Sequence, residues 1–150
     1  MSSPRPNPCH VLISYAHASA AIAAAVAFAR NKGLALSFAI VDSAGHLVAA
    51  VRMDGAPFVT TEIARGKAFA SVATGGQSGS TLGQRFRDNP MVWSNTGSLG
   101  YGAPLLPAQG SLPIYVDGNL VGAMGASGAA SEVDEAIISH AIASIGRSAS

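Results

Sequence analysis

Arg52, Asp54, Glu62, Arg65 and Lys67 form the densest charged group in the chain. Arg52 and Asp54 flank Met53 at the end of a strand-like run, and the two-residue period of a strand sends both side chains to one side. Lys67 falls on a helical row with Ile63, Ala70 and Thr74, so its neighbours are apolar or small. A lysine so placed can bind a carboxylate, or act as a base once desolvated. One chemistry therefore open to the chain is cofactor-independent tautomerisation, isomerisation or elimination on a small carboxylated substrate. In that reading Arg52 holds the carboxylate, and Asp54 or Lys67 moves the proton. The plainer reading makes Arg52–Asp54 a structural pair at a hairpin end, and Glu62–Arg65, at i,i+3, a surface ion pair.

A second chemistry rests on the histidines. His17, Ala21, Ala24 and Phe28 make a helical stripe of small residues with one aromatic ring, opposite Tyr15. Such a stripe can line a flat hydrophobic ligand, with His17 as an axial ligand to a haem iron. Trp93 and Tyr101 would add aromatic walls, and Arg52 or Lys67 would pair the propionates. The plainer reading of the stripe is a helix or subunit contact. His10 and His17 share a face if the helix extends that far back. His46 follows a turn glycine and is expected in solvent, and His140 is expected partly buried at the edge of an apolar helix face. Cys9-His10 is too local for a closed metal site, which needs three or four ligands.

Other motifs are missing: there is no GxGxxG after a strand, no P-loop, no HExxH, no CxxC and no GxSxG. Gly122-Ala123-Met124-Gly125-Ala126-Ser127-Gly128 ends a strand before a helix, where backbone N–H groups can hold an anion. It lacks the P-loop lysine, and its strand belongs to a tight hairpin.

The elements that must position these residues follow from periodicity and turn chemistry. A helix is expected from about Ser14 to Asn31, with Val11, Tyr15, Ile22 and Val26 as its apolar stripe and Gly33 as its stop. Leu36–Val41 and His46–Met53 read as a hairpin around Asp42-Ser43-Ala44-Gly45. A second helix covers about Phe58–Thr74. After the glycine-rich break at residues 75–79, Ser80 or Thr81 caps a short helix ended by Asn89-Pro90. Met91–Ala108 reads as a long loop with one short strand near Leu105. Leu112–Val116 and Asn119–Ser127 flank Asp117-Gly118, a type I′ turn pair. Ser131 with Asp134 resembles a capping box before a last helix to about Ile145, whose apolar face is Val133, Ile137, Ile138, Ala141 and Ile145. Hairpins do not build parallel sheets, so the class is α+β, with an antiparallel sheet of about five strands packed with helices.

Composition bounds the rest. The chain has 150 residues, 49% hydrophobic and 11% charged, with a net charge of +1 and a mean hydropathy of +0.34. This length suits one domain, here residues 11–150 behind a proline-rich arm over residues 1–10. Disorder is excluded by the hydrophobicity, electrostatic nucleic-acid binding by the absence of a basic run, and a disulfide scaffold by the single cysteine. The apolar stretch Ala16–Ala29 is too short and too alanine-rich to span a membrane. The first residues lack the layout of a signal peptide, which makes the cytoplasm the expected location. A surface this poor in charge predicts a homo-oligomer.

Several ordered blocks carry a family resemblance. They are Ala39-Ile40-Val41-Asp42-Ser43-Ala44-Gly45-His46-Leu47-Val48, Arg52-Met53-Asp54-Gly55-Ala56-Pro57, Ala64-Arg65-Gly66-Lys67-Ala68, Pro113-Ile114-Tyr115, Asp117-Gly118 and Val121–Gly128. From about Val11 onward the chain resembles the GlcG/HbpS-like family, often called haem-degrading and related to the C-terminal domain of PduO-type corrinoid adenosyltransferases. The resemblance implies a profilin-like domain with a five-stranded sheet, and assembly into tetramers to octamers. It also implies a haem or other small ligand, since some members bind or degrade haem while others accompany glycolate or aromatic-acid catabolism in bacteria. A first-helix histidine contacts haem in related proteins, and His17 is the position that matches it. The family's paired glycine before the Pro-Ile strand stands here as Gly110-Ser111.

Overall fold

A computed structural model describes residues 11–148. The expected arm over residues 1–10, with Cys9 and His10, lies outside the described residues. Helix α1 (Tyr15–Asn31) opens on Ser14, whose Oγ accepts the His17 N–H at 3.1 Å. It closes in a Schellman motif: Leu34 N–H donates to the Ala29 carbonyl and Gly33 N–H to that of Arg30, with Gly33 at φ +70°. Its buried face is not the stripe of large residues expected from periodicity. Ala18, Ala21, Ala25 and Ala29 are fully buried, while Tyr15 is 71% exposed. Alanine wins that face because it lets α1 pack closely on its neighbours, leaving Ile22 and Val26 at the margin of the core.

Strands β1 (Ser37–Asp42) and β2 (Leu47–Arg52) form the first hairpin. The Asp42 carboxylate ties the turn by accepting the N–H groups of Ala44 and His46 at 2.9 and 3.0 Å. Strands β3 (Ser111–Val116) and β4 (Asn119–Ser127) form the second. Asp117 and Gly118 both take positive φ between them, 51° and 79°, as a type I′ turn requires. β1 and β4 then pair antiparallel, giving the order β2-β1-β4-β3.

The sheet therefore has four strands among the described residues, not about five. The segment near Leu105 fails to become a strand because Pro104 and Pro107 lack the N–H a ladder needs. It lies instead on helix α2 (Val59–Ala73), where Leu106 N–H donates to the Gly66 carbonyl at 3.0 Å. The long loop expected over Met91–Ala108 is also partly helical. After α3 (Gly79–Asp88), capped by Ser78 rather than Ser80 or Thr81, Pro90 opens a further helix, α4 (Pro90–Gly97). Proline ends one helix and suits the first turn of the next.

Helix α5 (Ser131–Ser148) is the last element of the described residues, and its expected apolar face is the buried one at Ile137, Ile138, Ala141 and Ile145. Strand alternation sorts the sheet residues between two helical layers. Phe38, Ile40, Met124 and Ala126 pack with α1 and α5. Val41 and Ala123 pack with Ala68 of α2. Beyond α2, Ala70, Leu82, Trp93 and Leu105 form a second cluster with α3 and α4. Gly125 lets α2 lie directly on β4, since a Cβ there would overlap the Ala64 carbonyl.

Candidate functional site

His17 sits in the first turn of α1, half-buried at the rim of a cleft of about 180 Å³. Ile114 and Val116 of β3, Asp117 of the turn, and Ile142 and Ile145 of α5 line the rest. The site thus forms where the start of α1, the second hairpin and the end of α5 meet. It offers one imidazole against aliphatic walls, with Asp117 and no basic side chain among its lining residues.

The other aromatic residues expected beside His17 are elsewhere. Phe28 stacks on His140, with ring centroids 4.3 Å apart, and Lys32 Nζ lies 5.1 Å from the Phe28 ring centre. Phe28 therefore joins α1 to α5, and His140 is exposed rather than partly buried. Trp93 is buried in the α2–α3–α4 cluster, with the Arg85 guanidinium 5.0 Å above its ring. Tyr101 is 47% exposed and lies 5.9 Å from Phe69 of α2. Trp93 and Tyr101 thus belong to the α2 side of the sheet, across from His17 and Phe28. Within one chain these four residues do not line one slot.

The charged cluster also divides. Arg52 and Asp54 line a shallow groove of about 460 Å³ with Val26 and Arg30 of α1. Both are exposed, and they make no ion pair with each other. Lys67 is not in that groove. It is 6% exposed, and its Nζ donates to the Ala126 carbonyl at 3.0 Å and to Asp134 Oδ2 at 3.5 Å. Ala126 N–H donates to the Gly110 carbonyl, just where β3 begins. N–H and C=O of one strand residue point the same way, so the Ala126 carbonyl lies just before the start of β3, and the Lys67 ammonium takes it. Asp134 Oδ1 accepts the Ala129 N–H at 3.1 Å. Burial pushes the Asp134 carboxyl above the usual carboxylate range, opposed by the charge of Lys67 and by these hydrogen bonds.

Asp134 is the residue the sequence reading missed as Lys67's partner. Its place at the start of α5 marks it as a capping residue, and it does reach back, but to Ala129 and without Ser131. Nothing in the spacing of positions 67 and 134 announces the pair. Only the apolar row around Lys67 signals that the lysine is buried. Arg65 was also misread: it makes no ion pair with Glu62, and its Nε is buried without a hydrogen-bond partner.

A family model described as "Haem degrading protein HbpS-like" matches residues 13–143. The chain belongs to the HbpS-like family. It is 34% identical over 119 residues to protein GlcG of Escherichia coli K12, covering 78% of this chain and 82% of GlcG. Among solved structures it is similar to a double mutant of Streptomyces reticuli HbpS, at 26% identity and TM-score 0.80, covering 97% of each chain. It is also similar to PduOC solved as a haem complex, at 27% identity and TM-score 0.77, covering 89% of this chain and 94% of PduOC. No helix among the described residues is long and apolar enough to cross a membrane.

Proposed function

We propose that this member of the HbpS-like family binds haem or a related tetrapyrrole through His17. The observation that carries the reading is the placement of that imidazole, on the first helix, at the mouth of an aliphatic cleft. The similarity to PduOC, whose structure holds haem, supports it. The residues fit the group in kind. His17 supplies one nitrogen donor, and Ile114, Val116, Ile142 and Ile145 supply apolar contact for a ring edge. When bound, haem would bring the redox chemistry of its iron.

The cleft is smaller than the roughly 300 Å³ at which sites enclosing a whole ligand begin. One chain therefore covers an edge of the ring and leaves the remainder for a second copy or solvent. That agrees with the homo-oligomer expected from the sparse surface charge, and with the tetramer to octamer that the family resemblance implies. Tyr115, 52% exposed on edge strand β3, borders the cleft and would be covered in such an assembly.

The test is an absorbance titration of the purified protein with haemin. A saturable, stoichiometric Soret shift is expected, and His17→Ala should abolish it. A flat, non-saturable response overturns the proposal, while an unchanged shift in the variant removes His17 from the site.

A further inference from the structure

A separate cleft of about 340 Å³ opens on the α2 side of the sheet. Three elements build it: the β1–β2 turn with Gly45 and His46, α2 with Arg65 and Phe69, and the segment after α4 with Tyr101. The turn touches the α2 ring so closely that a Cβ on Gly45 would come within 2.8 Å of Phe69 Cε2. Phe69 and Tyr101 present tilted rings, with their planes at 48°. Tyr101 lies between Gly100 and Gly102, both at φ +77°, a backbone that few other residues would adopt.

Arg65 is the feature that needs explaining. It is half-buried, and its Nε is buried with no acceptor. Glu62, one turn back on α2, is exposed and does not pair with it. Leaving that buried N–H without an acceptor costs stability, and the guanidinium that carries it stays charged at any ordinary pH. An unsatisfied buried group calls for a partner, and one on the wall of a cleft can take it from a ligand. We infer that this cleft binds a small planar carboxylate, its carboxylate on Arg65 and its flat body against Phe69 and Tyr101.

The chemistry of the lining fits that ligand class. The fork of a guanidinium matches the two oxygens of a carboxylate. Two aromatic rings favour an unsaturated, flat body over an aliphatic one. His46, with its side chain 82% exposed at the rim, and the Tyr101 hydroxyl can hydrogen-bond further polar groups. The cleft is independent of the tetrapyrrole proposal, since it shares no lining residue with the His17 cleft.

The test uses benzoate as the probe, followed by amide chemical shifts of the whole chain, with cyclohexanecarboxylate and inorganic phosphate titrated alongside. Benzoate should shift residues around 44–47, 65–69 and 101–103 saturably, with a Kd of about 1 mM or tighter. Arg65→Gln should weaken binding by about tenfold or more, the loss expected for a charge-assisted hydrogen bond, and should raise the Tm. Arg87→Gln, which removes an exposed arginine on α3, should change neither. Tyr101→Ala, at an exposed position, gives a second reading should Arg65→Gln fold poorly, and should also weaken benzoate. Cyclohexanecarboxylate should bind more weakly; its binding as tightly as benzoate would overturn the planar specificity, and equal binding of phosphate would overturn the carboxylate assignment. The absence of a saturable benzoate shift, or unchanged affinity in Arg65→Gln and Tyr101→Ala, would overturn the site.

Discussion

Replacing Lys67 by Met should destabilise the protein far more than removing a surface charge. Lys67 and Asp134 have side chains only 7% and 2% exposed, with Nζ 3.5 Å from Oδ2. At an effective dielectric of about 20, two unit charges at that separation attract by roughly 5 kcal/mol. Desolvation cancels much of this in the intact pair, but loss of one partner strands the other. That loss costs about 3–5 kcal/mol. Lys67→Met also leaves the Ala126 carbonyl of β4 without its donor beside the start of β3. At about 2–4 °C per kcal/mol for a chain of this size, the Tm should fall by roughly 6–20 °C. Urea unfolding of Lys67→Met, Asp134→Asn and the double variant completes the test. The Asn side chain retains an acceptor for Ala129 N–H, so the cycle isolates the charge pair. The double variant should lose less than the sum of the singles, by about 2 kcal/mol or more, against the few tenths seen for independent sites. Additive losses, or a single-variant loss below about 1 kcal/mol, would refute the view that Lys67 is a buried structural cation.

Three further outcomes follow from the same geometry. Gly110 lies at φ +117°, with a built Cβ 2.7 Å from Lys67 Nζ and 3.2 Å from the Ala126 carbonyl oxygen. Gly110→Ala should therefore cost more than Gly118→Ala, which has positive φ but open space; strain alone accounts for about 1–3 kcal/mol, and equal losses would show that Lys67 yields freely. The Asp134 carboxyl should titrate above the ordinary carboxylate range. Between the unfolded and folded midpoints the folded chain holds a proton that the unfolded chain has released, so this group's contribution to stability falls as pH rises through that window; carboxyl carbon shifts of Asp134 followed against pH give the midpoint. Ser14→Ala removes the cap that holds the His17 N–H and should cost about 1 kcal/mol, with a weaker haemin response in the same titration.

Both hairpins were legible because their turns are local chemistry: Asp42 folds back on its own backbone, and Asp117-Gly118 supplies two positive φ angles. Helix ends at Gly33 and Pro90 were legible for the same reason. The buried face of α1 was not. Periodicity ranks residues by size, whereas packing distance favoured Ala18, Ala21, Ala25 and Ala29 over Tyr15. The short helix over Pro90–Gly97 was hidden among serine, asparagine and glycine, and its only large buried residue is Trp93.

Which candidate site residues share a face depends on a step no local rule supplies. Each hairpin fixes its own register, but the pairing of β1 with β4 joins segments roughly 80 residues apart in sequence, a non-local contact that local patterning does not specify. That pairing sets Phe38 opposite Ala126 and Ile40 opposite Met124, and so gives α1 and α5 one face and α2 the other. His17 with Phe28 therefore falls on one side, and Trp93 with Tyr101 on the other. The same step brings Lys67 of α2 to the Ala126 carbonyl and to Asp134, at the join between β4 and α5. A lysine that sequence places beside Arg52 and Asp54 is thereby drawn into the fold. Arg65, two residues earlier on the same helix, stays half-buried, with its Nε still without an acceptor. Lys67 and Arg65 separate two uses of a cation on α2: one, buried, holds the Ala126 carbonyl of β4, and the other, half-buried, lines a cleft.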